Sequence, residues 1–179
     1  MSMTIGPACP DDIPALHALI EAAYRGDTAR RGWTHEADLL GGQRTDAAAL
    51  SDYIAHPGQH LLAAREAGRL TGCVLVIALA DARGYLGLLT VDPALQAGGQ
   101  GRLLVTAAED TARGFNADVM EMTVIARRVE LIAWYIRLGY RMTGETRPFP
   151  YDDARFGLPR VGDLDFAVLE KRLVEPLSV

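Results

Sequence analysis

Hydrophobic residues recur at two different periods along the chain, and these periods predict a mixture of helices and strands. In the first helical stretch, the spacing of apolar positions from Ile13 to Ala23 places them on one face, behind the acidic pair Asp11 and Asp12. Helices are expected over residues 13–26, 46–54, 99–113 and 129–138. Strands are expected over residues 4–8, 60–65, 70–79, 85–91, 119–125, 140–146 and 164–170.

These elements follow one another in the order β-α-α-β-β-β-α-β-α-β-β. A hairpin at residues 66–69 joins two consecutive strands, so a purely parallel, doubly wound sheet is excluded. The helix at 99–113 is long enough for a parallel crossover between the strands that flank it. On this helix, Glu109 and Arg113 are spaced as an outward-facing ion pair. Residues 27–44 and the stretch between the last two strands are expected to be irregular.

Composition narrows the class of protein. The 179 residues are 49% hydrophobic and 23% charged, which suits one globular domain over residues 1–179. A net charge of −5 argues against nucleic acid as a partner.

Cys9 and Cys73 cannot form a disulfide framework, which suits a reducing compartment. We see no signal peptide, and the longest apolar run, residues 73–80, is too short to span a membrane, so a cytoplasmic protein is expected. The four histidines lack metal-ligand spacing, and no metal is expected.

The most informative stretch for chemistry is residues 85–102, where a strand ends, Gly98, Gly99 and Gly101 follow, and a helix begins at once. Glycines permit close backbone approach, and the free N–H groups at a helix start bind anions, so a diphosphate would fit there. A tight turn without a ligand is the alternative. The glycine spacing matches neither a P-loop nor the dinucleotide-binding fingerprint.

Two motifs resemble the GNAT superfamily of acyl-CoA-dependent N-acetyltransferases, in a bacterial-type subgroup. The first is Val91-Asp92-Pro93 followed by Gln96-Ala97-Gly98-Gly99-Gln100-Gly101, which is similar to the family's phosphate loop. The second, residues 128–140, is similar to the family's element that ends in Tyr-x-x-x-Gly-Tyr, although Arg128 stands where the family often has asparagine. The resemblance implies a mixed, mostly antiparallel sheet with one splayed parallel pair, flanked by helices.

The resemblance also implies acetyl-CoA as co-substrate and direct transfer to a small-molecule or peptide amine. Val91 would polarise the thioester carbonyl through its amide, and Tyr135 would protonate the departing thiolate. Leu89, Thr90 and Val91 would pair with the pantetheine arm. The residues that the resemblance assigns to coenzyme A are Leu89, Thr90, Val91, Gln96, Ala97, Gly98, Gly99, Gln100, Gly101, Arg102 and Arg128.

The general base and the acceptor contacts are less defined. The candidate general base is Glu121, which shares a strand face with Thr123 and would take the proton of the amine through water. Alternatively, the Glu121 side chain is exposed or ion-paired. The resemblance implies that one wall of the acceptor site would lie between the first two helices and that Phe149 would belong to the opposite wall; structural packing of the turns is the alternative. The candidate acceptor contacts are Trp33, Glu36, Arg44 and Phe149. Pairing of two copies through the last strands would give a homodimer.

Two other classes stay open. A non-catalytic coenzyme A-binding sensor would explain the lack of carboxylates on the central strands and the departure at Arg128. A Rossmann-type nucleotide-binding fold would need a parallel sheet and an acidic residue about twenty positions beyond the glycines. Glu121 meets the second requirement, but the predicted hairpins count against the first.

Overall fold

A central sheet of seven strands organises the computed structural model, which describes residues 3–33 and 35–174. Two short strands form a separate ribbon. The strands are β1 (Met3–Pro7), β2 (Leu40–Gly41), β3 (Gln59–Glu66), β4 (Arg69–Leu79), β5 (Arg83–Val91), β6 (Val119–Ile125), β7 (Arg141–Pro148), β8 (Leu158–Pro159) and β9 (Asp165–Arg172). The helices are α1 (Ile13–Tyr24), α2 (Gly26–Ala29), α3 (Ala47–Ala55), α4 (Gln100–Gly114) and α5 (Val129–Arg137).

The strand order in the sheet is β1-β3-β4-β5-β6-β9-β7, and every neighbouring pair is antiparallel except β5 and β6. The parallel pair is joined by α4, as the crossover predicted from sequence requires. The predicted mixed fold, mostly antiparallel with one parallel pair, is confirmed.

The β5 and β6 strands separate soon after they begin. They pair only over Arg83–Tyr85 and Val119–Glu121, although both strands continue beyond that point. Within β5, Leu88 has a φ of 51°, and the register with β4 shifts between Cys73 and Leu75. This irregularity bends the second half of β5 away from a regular ladder. The result is a cleft between β5 and β6 in the middle of the sheet.

Helices cover the sheet on both faces. One hydrophobic cluster joins α4 and α5 to the sheet through fully buried residues such as Leu104 and Met120. A second cluster joins α1 and α3 to the opposite face, with Leu16, Ile20 and Leu50 fully buried. Because β3 and β4 are covered on both sides, their centres are continuously apolar rather than alternating.

Every strand and helix expected from the sequence is present, with ends within two residues of the expected positions. Two expectations were wrong. Residues 27–44 contain the end of α2 and the strand β2, which pairs with β8 from the last long connection. Glu109 does pair with Arg113, at 3.9 Å, but it is buried rather than outward-facing: Lys171 Nζ donates to both of its oxygens at 2.9 Å, and the Tyr140 hydroxyl donates to Oε1 at 3.1 Å. In the described part of the chain, no helix is long and apolar enough to cross a bilayer.

Candidate active site

The loop between β5 and α4 has the geometry of an anion site. Ala97 and Gly99 have φ angles of 72° and 83°, so the chain turns sharply before the helix begins at Gln100. Gly99 occupies the N-cap position and supplies no side-chain cap. The first-turn N–H groups of a helix have no carbonyl partners within it, so those of α4 are available to a bound anion.

Gly101, at the start of this helix, lies close to other parts of the site. A Cβ atom at this position would stand 3.3 Å from the Trp134 ring and 3.8 Å from a methyl carbon of Val91. The residue therefore keeps open a space that any side chain would fill. This loop was predicted to hold the diphosphate of coenzyme A, and that role stays a prediction.

Gln96, from the same loop, is held by protein groups. Its Oε1 accepts from the main-chain N–H of Trp33 at 2.9 Å, and its Nε2 donates to the Val91 carbonyl at 3.3 Å. A Cβ on Gly32 would overlap this side chain, 2.5 Å from Oε1. Gln96 thus fastens the segment before Trp33 to the end of β5.

The end of β5 directs main-chain groups into the cleft beside β6. Asp92 N–H donates to Thr71 of β4 at 2.8 Å, and N–H groups alternate sides along an extended strand. The Val91 N–H therefore points away from β4, towards the cleft. On that side, the Leu89 carbonyl accepts a hydrogen bond from the hydroxyl of Tyr24.

Two cavities meet in the cleft. We call the smaller one, about 60 Å³, the loop cavity; it lies against the β5–α4 loop. We call the larger one, about 130 Å³, the arginine cavity; it extends along β5 and β6. The residues that line both are Tyr24, Leu89, Arg128, Leu131 and Tyr135.

Tyr135 lies on α5 at the junction of the two cavities and is 5% exposed. Its ring packs edge-on against Trp134 and Tyr140, with centroid separations of 4.9 and 5.8 Å. Burial raises the pKa of the Tyr135 phenol above its usual value of 10.0. The side chain is therefore a protonated hydrogen-bond donor at neutral pH.

Glu36 lies at one wall of the arginine cavity in a buried ion-pair cluster. Its Oε2 accepts from Arg25 Nη1 at 2.7 Å, and its Oε1 accepts from Arg128 Nη1 at 2.9 Å. Burial alone would raise the pKa of Glu36, but Arg128, Arg44 and Arg25 outweigh it and lower the pKa below 4.5. Glu36 is therefore ionised at neutral pH.

Arg44 lines the same cavity and is partly buried. Its guanidinium carbon lies 5.1 Å from the centre of the Tyr24 ring. Its main-chain N–H donates to Glu21 Oε1 at 2.7 Å, and the N–H of Thr45 donates to the same oxygen at 3.0 Å. The main chain at Arg44 is thus held in place by Glu21 of α1.

The remaining candidates for the base and the acceptor contacts lie outside the arginine cavity. Trp33 lines the loop cavity, edge-on to Trp134 at 6.0 Å. Glu121 lines neither cavity; its oxygens accept from Arg83 at 2.9 Å and Arg147 at 2.8 Å. Phe149 is 4% exposed in a hydrophobic cluster with the β2–β8 ribbon and also lines neither cavity.

Sequence reasoning missed several residues that build the site. Phe156 and Phe166 line the arginine cavity, and Tyr24 and Arg25 hold β5 and Glu36 in place. Tyr24 and Arg25 begin a segment, residues 24–45, whose density of polar and aromatic residues is the sequence signal that could have found them. Phe156 follows no period and belongs to no motif, so no sequence signal could have found it.

Solved structures of several other proteins share this fold. The protein yncA from Salmonella typhimurium, determined with its cofactor acetyl-CoA, has a TM-score of 0.72 at 22% identity, covering 99% of this chain and 98% of that one. The ribosomal-protein-alanine N-acetyltransferase from Brucella melitensis has a TM-score of 0.72 at 19% identity, with coverages of 94% and 99%. The ribosomal-protein-S18-alanine N-acetyltransferase from Escherichia coli has a TM-score of 0.71 at 16% identity, with coverages of 98% and 96%. At these identities the likeness concerns the fold.

Sequence comparison identifies the family. No curated protein matches the chain at a significant level. Residues 34–150, about two thirds of the chain, match the family described as the acetyltransferase (GNAT) domain. That span includes the β5–α4 loop, the splayed strands and Tyr135. The chain belongs to the GNAT acetyltransferase family.

Proposed function

We propose that this acetyltransferase moves the acetyl group of acetyl-CoA directly to an amine, as an N-acetyltransferase. The observation that carries the proposal is the meeting of the two cavities at Tyr135. The loop cavity would take the thioester end of the coenzyme, and the arginine cavity would take the amine. Both reactants would then approach the end of β5 from opposite sides.

The residues present fit coenzyme A. The β5–α4 loop offers the first-turn N–H groups of α4, and Gly101 keeps the space before Trp134 open. Gln100 Oε1 is buried beside the loop cavity and has no hydrogen-bond partner among the described residues. The residues from Ala97 to Arg102 would hold the diphosphate, and Leu89 to Val91 the pantetheine arm. Acetyl-CoA supplies an activated acetyl thioester when bound.

Two groups of the chain would promote transfer. The Val91 N–H would donate a hydrogen bond to the acetyl oxygen as negative charge develops there. The amine nitrogen bonds to the acetyl carbon, the carbon–sulfur bond breaks, and the Tyr135 hydroxyl gives its proton to the sulfur. The phenol then regains a proton from solvent.

Direct transfer also agrees with the state of Cys73. Burial raises the pKa of this thiol to about 12, so it is not a thiolate at neutral pH. Its Sγ atom instead contacts the Leu88 carbonyl at 3.8 Å. A route in which Cys73 carries the acetyl group has no support in this geometry.

The proton that leaves the amine would pass to water. Glu36 is a poor acceptor because its arginine neighbours lower its pKa. Glu121, the base expected from sequence, has both oxygens in ion pairs and lies outside the two cavities. We therefore propose that the acceptor binds as the neutral amine or loses its proton through water.

The test is release of free coenzyme A from acetyl-CoA, measured with a thiol reagent across pooled amines, amino acids, polyamines and peptides. Calorimetry with acetyl-CoA alone runs in parallel. Amine-dependent thiol release with a matching N-acetyl product by mass spectrometry is the expected result. Binding of acetyl-CoA without release to any acceptor would overturn the proposal in favour of a coenzyme A sensor.

A further inference from the structure

The arginine cavity carries more positive than negative charge. Its charged lining residues are Glu36, Arg44 and Arg128, and Arg25 lies behind Glu36. Both Glu36 oxygens are taken by Arg25 and Arg128 at 2.7 and 2.9 Å. Three guanidinium groups therefore surround one carboxylate, and each oxygen of that carboxylate already accepts a hydrogen bond from an arginine.

The donors around Glu36 also outnumber its oxygens. Arg25 is buried, and its Nε and Nη2 atoms have no hydrogen-bond partner among the described residues. The surrounding phenols of Tyr24 and Tyr135 are neutral because burial raises the pKa of each. Among the described residues that line the cavity, Glu36 is thus the one acidic side chain and the arginines outnumber it.

Arg44 also interacts electrostatically with Glu36, but it is the cavity-lining arginine that makes no direct ion pair with that carboxylate among the described residues. Across residues 3–33 and 35–174, its side chain takes part in no ion pair and no hydrogen bond with another side chain. It is held in place by the Tyr24 ring and by the main-chain bond to Glu21. A positioned, partly buried guanidinium that faces a cavity is suited to bind an anion.

We propose that the acetyl acceptor is an amine that also carries a carboxylate, of the size of a free amino acid, and that Arg44 binds this carboxylate. The inference rests on the proposed function and adds the substrate class. Arginine pairs with carboxylate through two parallel N–H donors, whereas a polyamine would meet like charge in this cavity. The volume of about 130 Å³ suits a small molecule.

The cavity also orients such a molecule. Arg44 and Tyr135 both line it, so a carboxylate at Arg44 leaves the amine free to reach the end of β5. Phe156 and Phe166 form an apolar part of the wall. The best acceptors are therefore expected to be amino acids with apolar or aromatic side chains.

The substrate test compares acceptors that differ only in the carboxylate. L-leucine, L-methionine, L-phenylalanine and L-tryptophan are each assayed beside their carboxamides and their decarboxylated amines. At neutral pH, a larger fraction of the amine is unprotonated in a carboxamide than in the amino acid. The intrinsic reactivity of the amine alone would therefore favour the carboxamide. A kcat/KM at least ten times higher for the amino acids is the expected result.

The protein test replaces Arg44 by glutamine and, separately, by lysine. Loss of a charged hydrogen-bond pair predicts a KM for the amino acid about 10- to 100-fold higher in Arg44→Gln. The KM for acetyl-CoA is expected to stay unchanged, and Arg44→Lys is expected to recover part of the affinity. Arg172→Gln, at an exposed position at the end of β9, is the matched control.

A binding measurement separates this inference from the proposed function. The coenzyme A-bound protein is titrated calorimetrically with N-acetyl-L-phenylalanine and with its carboxamide. If N-acetyl-L-phenylalanine binds the wild-type protein and this binding is lost in Arg44→Gln, the inference is supported even if no acceptor reacts. Equal turnover of carboxylates and carboxamides, or binding that ignores Arg44→Gln, overturns the inference and leaves amine acetylation standing.

Discussion

Arg128 Nη1 donates a hydrogen bond of 2.9 Å to Glu36 Oε1, joining residues 92 positions apart in the chain. Arg128 is the N-cap residue of α5, the helix that carries Tyr135. The pair therefore ties the segment after α2 to the helix with the proposed acid. It also gives a structural role to the arginine that replaces the asparagine common in the family.

Glu36→Gln should destabilise the fold, because Arg25 and Arg128 would remain buried without a counter-charge. Breaking a buried ion pair typically costs about 3–5 kcal/mol. The Glu36 pKa is lowered in the folded state, so its contribution is present above pH 4.5 and is lost as the pH falls further. Urea unfolding at neutral and acid pH measures both effects. Glu145→Gln, at an exposed ion pair, should change stability by less than about 1 kcal/mol.

Tyr135→Phe should lower kcat about 100-fold or more, since the variant cannot protonate the departing sulfur. Calorimetry should give nearly the same affinity for acetyl-CoA, because the ring and its packing remain. Tyr140→Phe is the control: its hydroxyl donates to Glu109, away from the cleft. Wild-type turnover in Tyr135→Phe would remove the tyrosine from the reaction.

The pH profile gives a separate check on Tyr135. Its pKa is raised above 10.0, so the phenol stays protonated throughout the neutral and mildly alkaline range. We expect kcat to show no descending limb below pH 10. A descending limb between about pH 8 and 9 that disappears in Tyr135→Phe would show that the Tyr135 pKa is not raised, while leaving the tyrosine as the acid.

Gly101→Ala should weaken acetyl-CoA binding at least about tenfold. The new Cβ would lie 3.3 Å from Trp134 and fill the space before the first turn of α4. Gly114→Ala is the matched control, because nothing lies within 4 Å of a Cβ there. Calorimetric titration of both variants measures the difference, and equal affinities would show that the coenzyme does not use this loop.

Glu121→Gln distinguishes a base from a structural anion. Its ion pairs with Arg83 and Arg147 predict lower stability with little change in kcat. The measurement pairs urea unfolding with the pH dependence of kcat. A large fall in kcat at neutral pH, with the lower-pH limb lost, would instead establish Glu121 as the base predicted from sequence.

Local pattern was enough to predict the elements of the main sheet and its helices. The apolar periods of β3, β4 and α4 and the glycine boundaries around them are properties of neighbouring residues. The β2–β8 ribbon was not predictable in this way, because a strand of two residues has no period. Its pairing of Leu40 with Pro159 depends on the whole fold.

The residues of the candidate site also fall into two groups, those that local sequence indicates and those that only the fold brings together. The β5–α4 loop and Tyr135 lie in contiguous motifs, so the sequence alone was enough to single them out as candidates. The partners of Glu36 come from separate parts of the chain, and only the fold brings Arg25 and Arg128 to its two oxygens. Likewise, the sequence pointed to Phe149, but of these two aromatic residues it is Phe156 that lines the arginine cavity.

The bridge made by Gln96 couples the two halves of the cleft mechanically. One amide group holds both the Trp33 backbone and the Val91 carbonyl, so a displacement of the β5–α4 loop would be passed on to Trp33. Acetyl-CoA bound at the β5–α4 loop would then make the walls of the arginine cavity, where the amine would bind, more rigid. Such coupling favours an ordered sequence in which the thioester binds before the amine.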